Sequence, residues 1–475
     1  MAFQPLTRED ILKIHEASLR VMEEIGVTFE GERARKALMD AGCQPKDKRL
    51  LFPRALVERM LKNPAPIVLT GRDGAHTLDL TVGQGFTHNF GSVSVLLDME
   101  KDAVRGATSK DQEDFARLSD YLPHLKKVVP SLRPEDVPSE IAPLAMTVIC
   151  LKNTTKPVSI GAASDAWETK YMIKAASLVA GGSDRLKAQP MGTLSISPIS
   201  PLHFPKDITE AIIEGALSGV PMTMLPCPGR GLTSPVTLAG GLMQQNVEEL
   251  AYLVLAKLFN PECPLIYACR LFSANMRTGL VVGNDPDVGY AGACASQLAA
   301  FYGLPSDVYG FDTGSPRLNL QAGWERAVNA LWPVMAGATF ISGFGSLNGG
   351  LLASIEQLYI DDEIFAFLTH RREGLVVNDT TLGVDVIASV MEGGNFLAQE
   401  HTRDFIRAGE LWMPGLSCGI GFEEWAAKGS QDLVQGARQA IREVMSKHEV
   451  PPLDDGLQRE LDELLQAAGR EKGCR

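Results

Sequence analysis

The side chains best suited to chemistry recur at one kind of place, the ends of short apolar runs. The first run ends in His88, Asn89 and Phe90, and a later one holds Ser195 and Ser197. Cys227 follows another, and Cys269 with Arg270 ends the next. The last two offer Tyr309, Phe311 and Asp312, then Phe344 ahead of Gly345-Ser346-Leu347-Asn348-Gly349-Gly350. A histidine in such a place serves as a base or a hydrogen-bonding anchor. His88, Cys227 and Cys269 would make a zinc set if their runs converged, although a lone cysteine among apolar neighbours is more often a small buried residue. Arg270 ends an apolar run, where an unpaired guanidinium is costly. It should meet Asp312, a carboxylate ligand, or both. Four glycines between 343 and 350 would let a ligand, a phosphate included, approach the backbone. No P-loop, HExxH or GxSxG is present. No lysine stands at a strand end where a Schiff base would need one.

Those runs alternate with helical patterns. Candidate strands cover 86–95, 126–131, 157–162, 189–196, 221–226, 264–270, 306–312 and 338–344. Helical patterns follow at 109–122, 138–152, 165–180, 206–218, 238–259, 286–302, 321–336 and 352–370. Ser109 and Ser164 stand ahead of acidic first turns, and Pro286 suits a helix start. Eight strand–helix units imply parallel pairing and the size of a (β/α)8 TIM barrel, an α/β fold whose chemistry sits at the strand C-termini. A doubly wound open sheet is the rival, but it often carries a GxGxxG first turn, which is missing. Residues 1–85 read as an N-terminal cap of helices plus a hairpin near 66–83, with Thr7 and Asp10 starting the first helix. Residues 86–370 form the barrel, and 371–475 a C-terminal helical extension.

The bulk properties exclude several classes. A net charge of −13 repels nucleic acid. The eight cysteines form no CxxC and no disulfide framework, as expected of reduced thiols. The N-terminal residues lack a signal peptide's charge and apolar core, and no run is long enough to span a membrane. A cytoplasmic protein is expected.

Four segments are familiar: THNFGSVSVLLD, GATFISGFGSLNGGLLASIEQL, MEGGNFLAQEHT and GFEEWAAKGSQDLVQGARQAI. They resemble the trimethylamine methyltransferase (MttB) superfamily over nearly the whole chain. The resemblance implies a TIM barrel that moves a methyl group from a methylated amine to the cobalamin (corrinoid) of a separate small protein. In the trimethylamine enzymes a pyrrolysine lies in the loop after strand 8, and the matching position here is Gly349. That departure points to members using quaternary amines, glycine betaine first. A quaternary ammonium leaves as a neutral amine, so no general acid is required. Phe90, Phe311 and Phe344 would face the ammonium. His88, Asn89 or Arg270 would hold a carboxylate. Asp312, Asn348, Gly349 and Gly350 complete the expected substrate-binding set. No metal ligated by this chain is expected, and a homo-oligomer is. The alternatives are carnitine, γ-butyrobetaine, proline betaine or choline as donor, a zinc-dependent transfer, or a quaternary-amine-binding protein without catalysis.

Overall fold

Eight apolar runs pair into one parallel sheet in a computed structural model that describes residues 3–80, 85–282, 285–372 and 374–474. The strands are β1 Phe86–Asn89, β2 Leu125–Lys127, β3 Val158–Ala162, β4 Gly192–Ile196, β5 Met222–Met224, β6 Leu265–Cys269, β7 Ser306–Tyr309 and β8 Phe340–Phe344. Their order is β3-β4-β5-β6-β7-β8-β1-β2, with every pair parallel. The ends meet at Val128. Its N–H donates to the Pro157 carbonyl at 2.9 Å, and its carbonyl accepts from the Ser159 N–H at 2.7 Å. The expected barrel is therefore the observed fold. Near-continuous burial along each strand is what a sheet covered on both faces requires.

The helices between strands are α1 Ser109–Tyr121, α2 Ala142–Asn153, α3 Ala166–Ala180, α4 Lys206–Ser218, α5 Leu238–Phe259, α6 Asp287–Phe301, α7 Leu320–Ala336 and α8 Ile355–Thr369. Two helix starts fall one residue off the reading from sequence. Thr108, in a capping box with Asp111, caps α1 rather than Ser109, and Asp165 caps α3 rather than Ser164. Strands β1, β2 and β7 stop earlier than their apolar runs. Beyond Tyr309, the N–H groups of Gly310 and Phe311 both turn to the Ser342 carbonyl, which bends the chain out of the ladder.

Before the barrel, Val68–Thr70 pairs antiparallel with Thr77–Asp79. The end of the expected hairpin, with its boundary near 85, abuts residues 81–84, which lie outside the described residues. Short strands unforeseen in the sequence, among them Val27–Phe29, stitch this segment to His203–Phe204 after β4. After the barrel, helices Leu433–Lys447 and Asp455–Lys472 pack back on the outer helices. Among the described residues, no helix is long and apolar enough to cross a membrane.

One buried arginine fastens the loop after β8. Arg326 of α7 is fully buried and makes a two-pronged ion pair with Asp361 of α8. Its remaining donors reach the carbonyls of Gly343, at 2.8 Å, and Ser346. The Gly345 N–H donates to Asp361 at 2.8 Å. At Gly343 φ is 119°, and a Cβ there would lie 2.4 Å from the Phe311 carbonyl oxygen, so only glycine fits. Asp312 is buried nearby. Its Oδ1 accepts from the Thr313 N–H at 2.9 Å, and its Oδ2 has no partner. Burial pushes this carboxyl up to about 7, although Arg326 pulls the other way.

Arg326→Met leaves Asp361 buried without its partner and should lower stability by about 3–5 kcal/mol, with Arg326→Met/Asp361→Leu recovering part of the loss. Denaturant unfolding of both variants checks this, and a single variant as stable as the parent would refute it. Asp312 gives a pH dependence. Unfolded, its carboxyl ionises near 4, whereas folded it keeps its proton to about 7. Between those values the native state binds more protons, so stability falls as pH rises, by on the order of 4 kcal/mol. Asp312→Asn should melt above the parent at pH 8 and level with it at pH 4. Melting curves offset equally at both pH values would contradict the assignment.

Candidate active site at the barrel mouth

The strand ends enclose a cavity of about 110 Å³. At roughly 10–15 Å³ for each water-sized occupant, it has room for a molecule of on the order of ten non-hydrogen atoms. Its walls include His88, Asn89 and Phe90 from the end of β1, Lys127 of β2, Ser159 and Gly161 of β3, and Ser195 of β4. Met146, Pro143 and Leu225 add apolar surface, and Arg270, Asp307 and Ser342 close the floor.

Asp307, the second residue of β7, organises that floor. Its Oδ1 accepts from Arg270 Nη2 at 2.6 Å, and its Oδ2 faces His88 Nε2 at 2.9 Å and Lys127 Nζ at 3.4 Å. Arg270 Nη1 also donates to the carbonyls of Asp307, at 2.8 Å, and Cys269, at 2.9 Å. Those bonds use three of the five guanidinium donors, leaving two N–H groups for a ligand. Burial alone would raise the Asp307 carboxyl, but His88, Arg270 and Lys127 hold it well below the usual carboxylate range. Burial likewise works against the Arg270 charge, and Asp307 outweighs it. Lys127 is lowered by burial, and its ammonium lies 4.1 Å from the Phe340 ring centroid.

Burial pushes the His88 imidazole down to about 4 against the pull of Asp307. Its Nδ1 lies 2.6 Å from the Asn89 carbonyl. Both ring nitrogens therefore face oxygen acceptors, an arrangement only the doubly protonated ring satisfies in full. Lys127 and Arg270 against the single carboxylate of Asp307 leave the floor with a net charge of at least +1. Such a floor favours a negatively charged group above it.

The expected substrate set divides. His88, Asn89, Phe90 and Arg270 line the cavity together. Asn89 is also committed to the frame, donating to Ser119 Oγ at 2.9 Å and accepting from the Val129 N–H at 3.0 Å. Phe311 and Phe344 do not line it. Both are fully buried, their centroids 4.5 Å apart, packed outward against Phe365 of α8. Alternation would set Phe344 beside Ser342, but the register shift at Gly343 breaks it. Asp312 is also outside the lining, and Arg270 meets Asp307 in its place.

The glycine loop is a correction too. Asn348, Gly349 and Gly350 are not among the lining residues. The Asn348 N–H donates to the Ser315 carbonyl and the Gly349 N–H to that of Thr313, at 2.9 and 2.7 Å. Backbone donors spent this way do not cradle a phosphate. Nor do the zinc candidates assemble. Both His88 nitrogens are engaged, burial pushes the Cys269 thiol up to about 11, Cys227 is exposed, and no three-ligand cluster occurs among the described residues.

Two site residues escaped the sequence reading. Lys127, the last residue of β2, sits where no lysine was expected, and Asp307 lies inside a strand rather than at its end. Each had a signal. A charge within an apolar strand must face either solvent or a partner, and in β2 Lys126 takes the first course and Lys127 the second.

A family model described as trimethylamine methyltransferase (MTTB) matches residues 1–473. Trimethylamine methyltransferase MttB of Desulfitobacterium hafniense is 30% identical over 471 residues, covering 98% of this chain and 94% of the relative. The glycine betaine methyltransferase of Desulfitobacterium hafniense is 29% identical over 475 residues, covering 98% of each. The solved monomethylamine methyltransferase (MtmB) of Methanosarcina barkeri shares the fold, with a TM-score of 0.51 at 14% identity over 93% of this chain and 89% of that one. A match spanning residues 1–473 of a 475-residue barrel is decisive for kinship: the chain belongs to the trimethylamine methyltransferase (MTTB) family.

Proposed function

We propose that this protein takes one methyl group from a small carboxylated quaternary amine, glycine betaine before others, and passes it to a separate corrinoid protein. The observation that carries the reading is the charge of the cavity floor. Two cations, Lys127 and Arg270, share one carboxylate, Asp307. A donor carboxylate would take the two unused N–H groups of Arg270, and its ammonium would lie toward Phe90 and the mouth. A cation over an aromatic face gains about 0.5–2 kcal/mol. A donor with no carboxylate meets uncompensated repulsion, about 3 kcal/mol for unit charges roughly 5 Å apart at an effective dielectric near 20.

The reaction asks little else of the side chains. The C–N bond breaks with its electron pair left on nitrogen, giving a neutral tertiary amine. The carrier's reduced cobalt supplies the pair that takes the methyl. No proton moves, so a His88 and an Asp307 engaged with each other are no handicap. The protein's part is to fix the donor's axis and to exclude water. Gly349, at the position the family resemblance gives to pyrrolysine, has no side chain with which to activate a neutral amine, and this favours a donor that is already cationic. A carrier presenting a flat corrin face also suits the rim. Ile199, Leu232, Val236, Met276, Leu280 and Leu351 are exposed there, on loops after β4, β5, β6 and β8.

Under anaerobic conditions, loss of cob(I)alamin absorbance should proceed at least tenfold faster with glycine betaine than with trimethylamine or choline, a ratio below the limit the repulsion above allows. Carnitine, γ-butyrobetaine and proline betaine belong in the same panel, and one of them outpacing glycine betaine reassigns the donor. Turnover with no quaternary amine, alongside tight binding of one, would leave a binding protein instead. Arg270→Gln should lower kcat/KM for the carboxylated donor by about 10–100-fold, mainly through KM, because a charge-assisted bond of about 1.5–3 kcal/mol is lost. Phe90→Ala should cost about 2–30-fold. Unchanged KM in Arg270→Gln would remove the carboxylate from the floor.

A further inference from the structure

The surplus positive charge of the floor has a counterpart in the barrel wall across from it. Ser159 of β3 and Ser195 of β4 line the cavity. Each pairs in register with a threonine on the next strand, Ser159 with Thr193 and Ser195 with Thr223, so both threonines share the inward face. Thr193 and Thr223 are fully buried, and neither hydroxyl meets a partner among the described residues. Buried hydroxyls are rarely left unpaired. The charged groups come from β1, β2, β6 and β7 and the hydroxyls from β3, β4 and β5, which gives the lumen a cationic side and a hydroxyl side.

The groups beside the floor are poorly suited to balance its charge. Glu249 of α5 reaches the wall from outside, its Oε1 accepting from the Ala268 N–H at 3.1 Å, and burial pushes its carboxyl well above the usual range. Burial also works against ionisation of the Cys269 thiol. A buried cation without a counterion is costly. Water would satisfy the hydroxyls but would not cancel the charge.

We propose that the lumen between these two sides is a binding site for a small inorganic monoanion, chloride being the simplest. The N–H groups of Arg270 and Lys127 not given to other partners would bind it from one side. The hydroxyls of Ser195, Thr193 and Thr223 would turn their protons to it from the other. A one-atom ion makes no demand on shape and fits within about 110 Å³. The donor's carboxylate would then take the anion's place, so that uptake is an exchange and turnover slows as chloride rises. That exchange, though not the site itself, rests on the proposed reading of the donor.

The width of the chloride magnetic-resonance line tests the site in the donor-free protein. The parent should broaden the line, and added nitrate should reverse the excess. Arg270→Gln should weaken chloride binding by about tenfold or more, because a charge-assisted bond is lost. Thr223→Val keeps the charge and the side-chain shape and should weaken it by about 3–10-fold. This second variant serves if the first does not fold. A parent line as narrow as that of buffer, or broadening of parental strength in either variant, overturns the proposal. Glycine betaine separates the two readings. If it displaces chloride, and chloride raises its KM with kcat unchanged, both stand. If chloride binds through Arg270 and saturating glycine betaine does not displace it, the site stands and the donor reading falls. If glycine betaine turns over while chloride leaves line width and KM untouched, the donor reading stands and the anion site falls.

Discussion

One carboxylate holds the centre of this barrel together. Asp307 sits where water is excluded and receives Arg270, Lys127 and His88 at the same time. Any of the three, buried alone, would be costly, and so would Asp307 without them. The group is stable only as a set, and the set leaves an unbalanced positive charge. That residue of charge turns a structural necessity into a recognition device. On the proposed reading, the same floor would prefer ligands bearing an anion at one end.

The outer layer shows the same economy in a different form. Arg326 is buried in the helix layer and joins α7, α8 and the loop after β8 through one guanidinium. The glycines of that loop answer to packing. Gly343 is needed because the Phe311 carbonyl leaves no room for a side chain. A glycine-rich turn at a barrel mouth is often a ligand cradle, but here its amides are spent on neighbouring carbonyls.

Much of the architecture was legible. The eight strand runs and their helices follow from apolar periodicity, which is strong wherever both faces of a strand are buried. His88, Asn89, Phe90 and Arg270 were expected at the mouth because strand ends face it, and all four line the cavity. Phe344 was misplaced because a register shift of one residue at Gly343 reverses which face a side chain occupies, and Phe311 because the chain leaves the ladder after Tyr309; periodicity registers neither. Lys127 and Asp307 were passed over for a different reason. Lys127 stood near the start of the run expected over 126–131, whereas the strand ends on it, and Asp307 lies in a strand interior, which attention to strand ends neglects. The Arg270 partner was sought at Asp312, which stands near a strand end, when the true partner lies five residues earlier in the middle of β7.

In the proposed reaction the floor would grip a part of the donor that is never altered. The demethylated amine keeps its carboxylate, and Arg270 would hold it as firmly as before. Discrimination between what enters and what leaves then rests on the loss of a methyl group and a positive charge beside Phe90. A product of this kind is a natural competitor for its own precursor, and the pace of repeated cycles would follow how quickly it lets go.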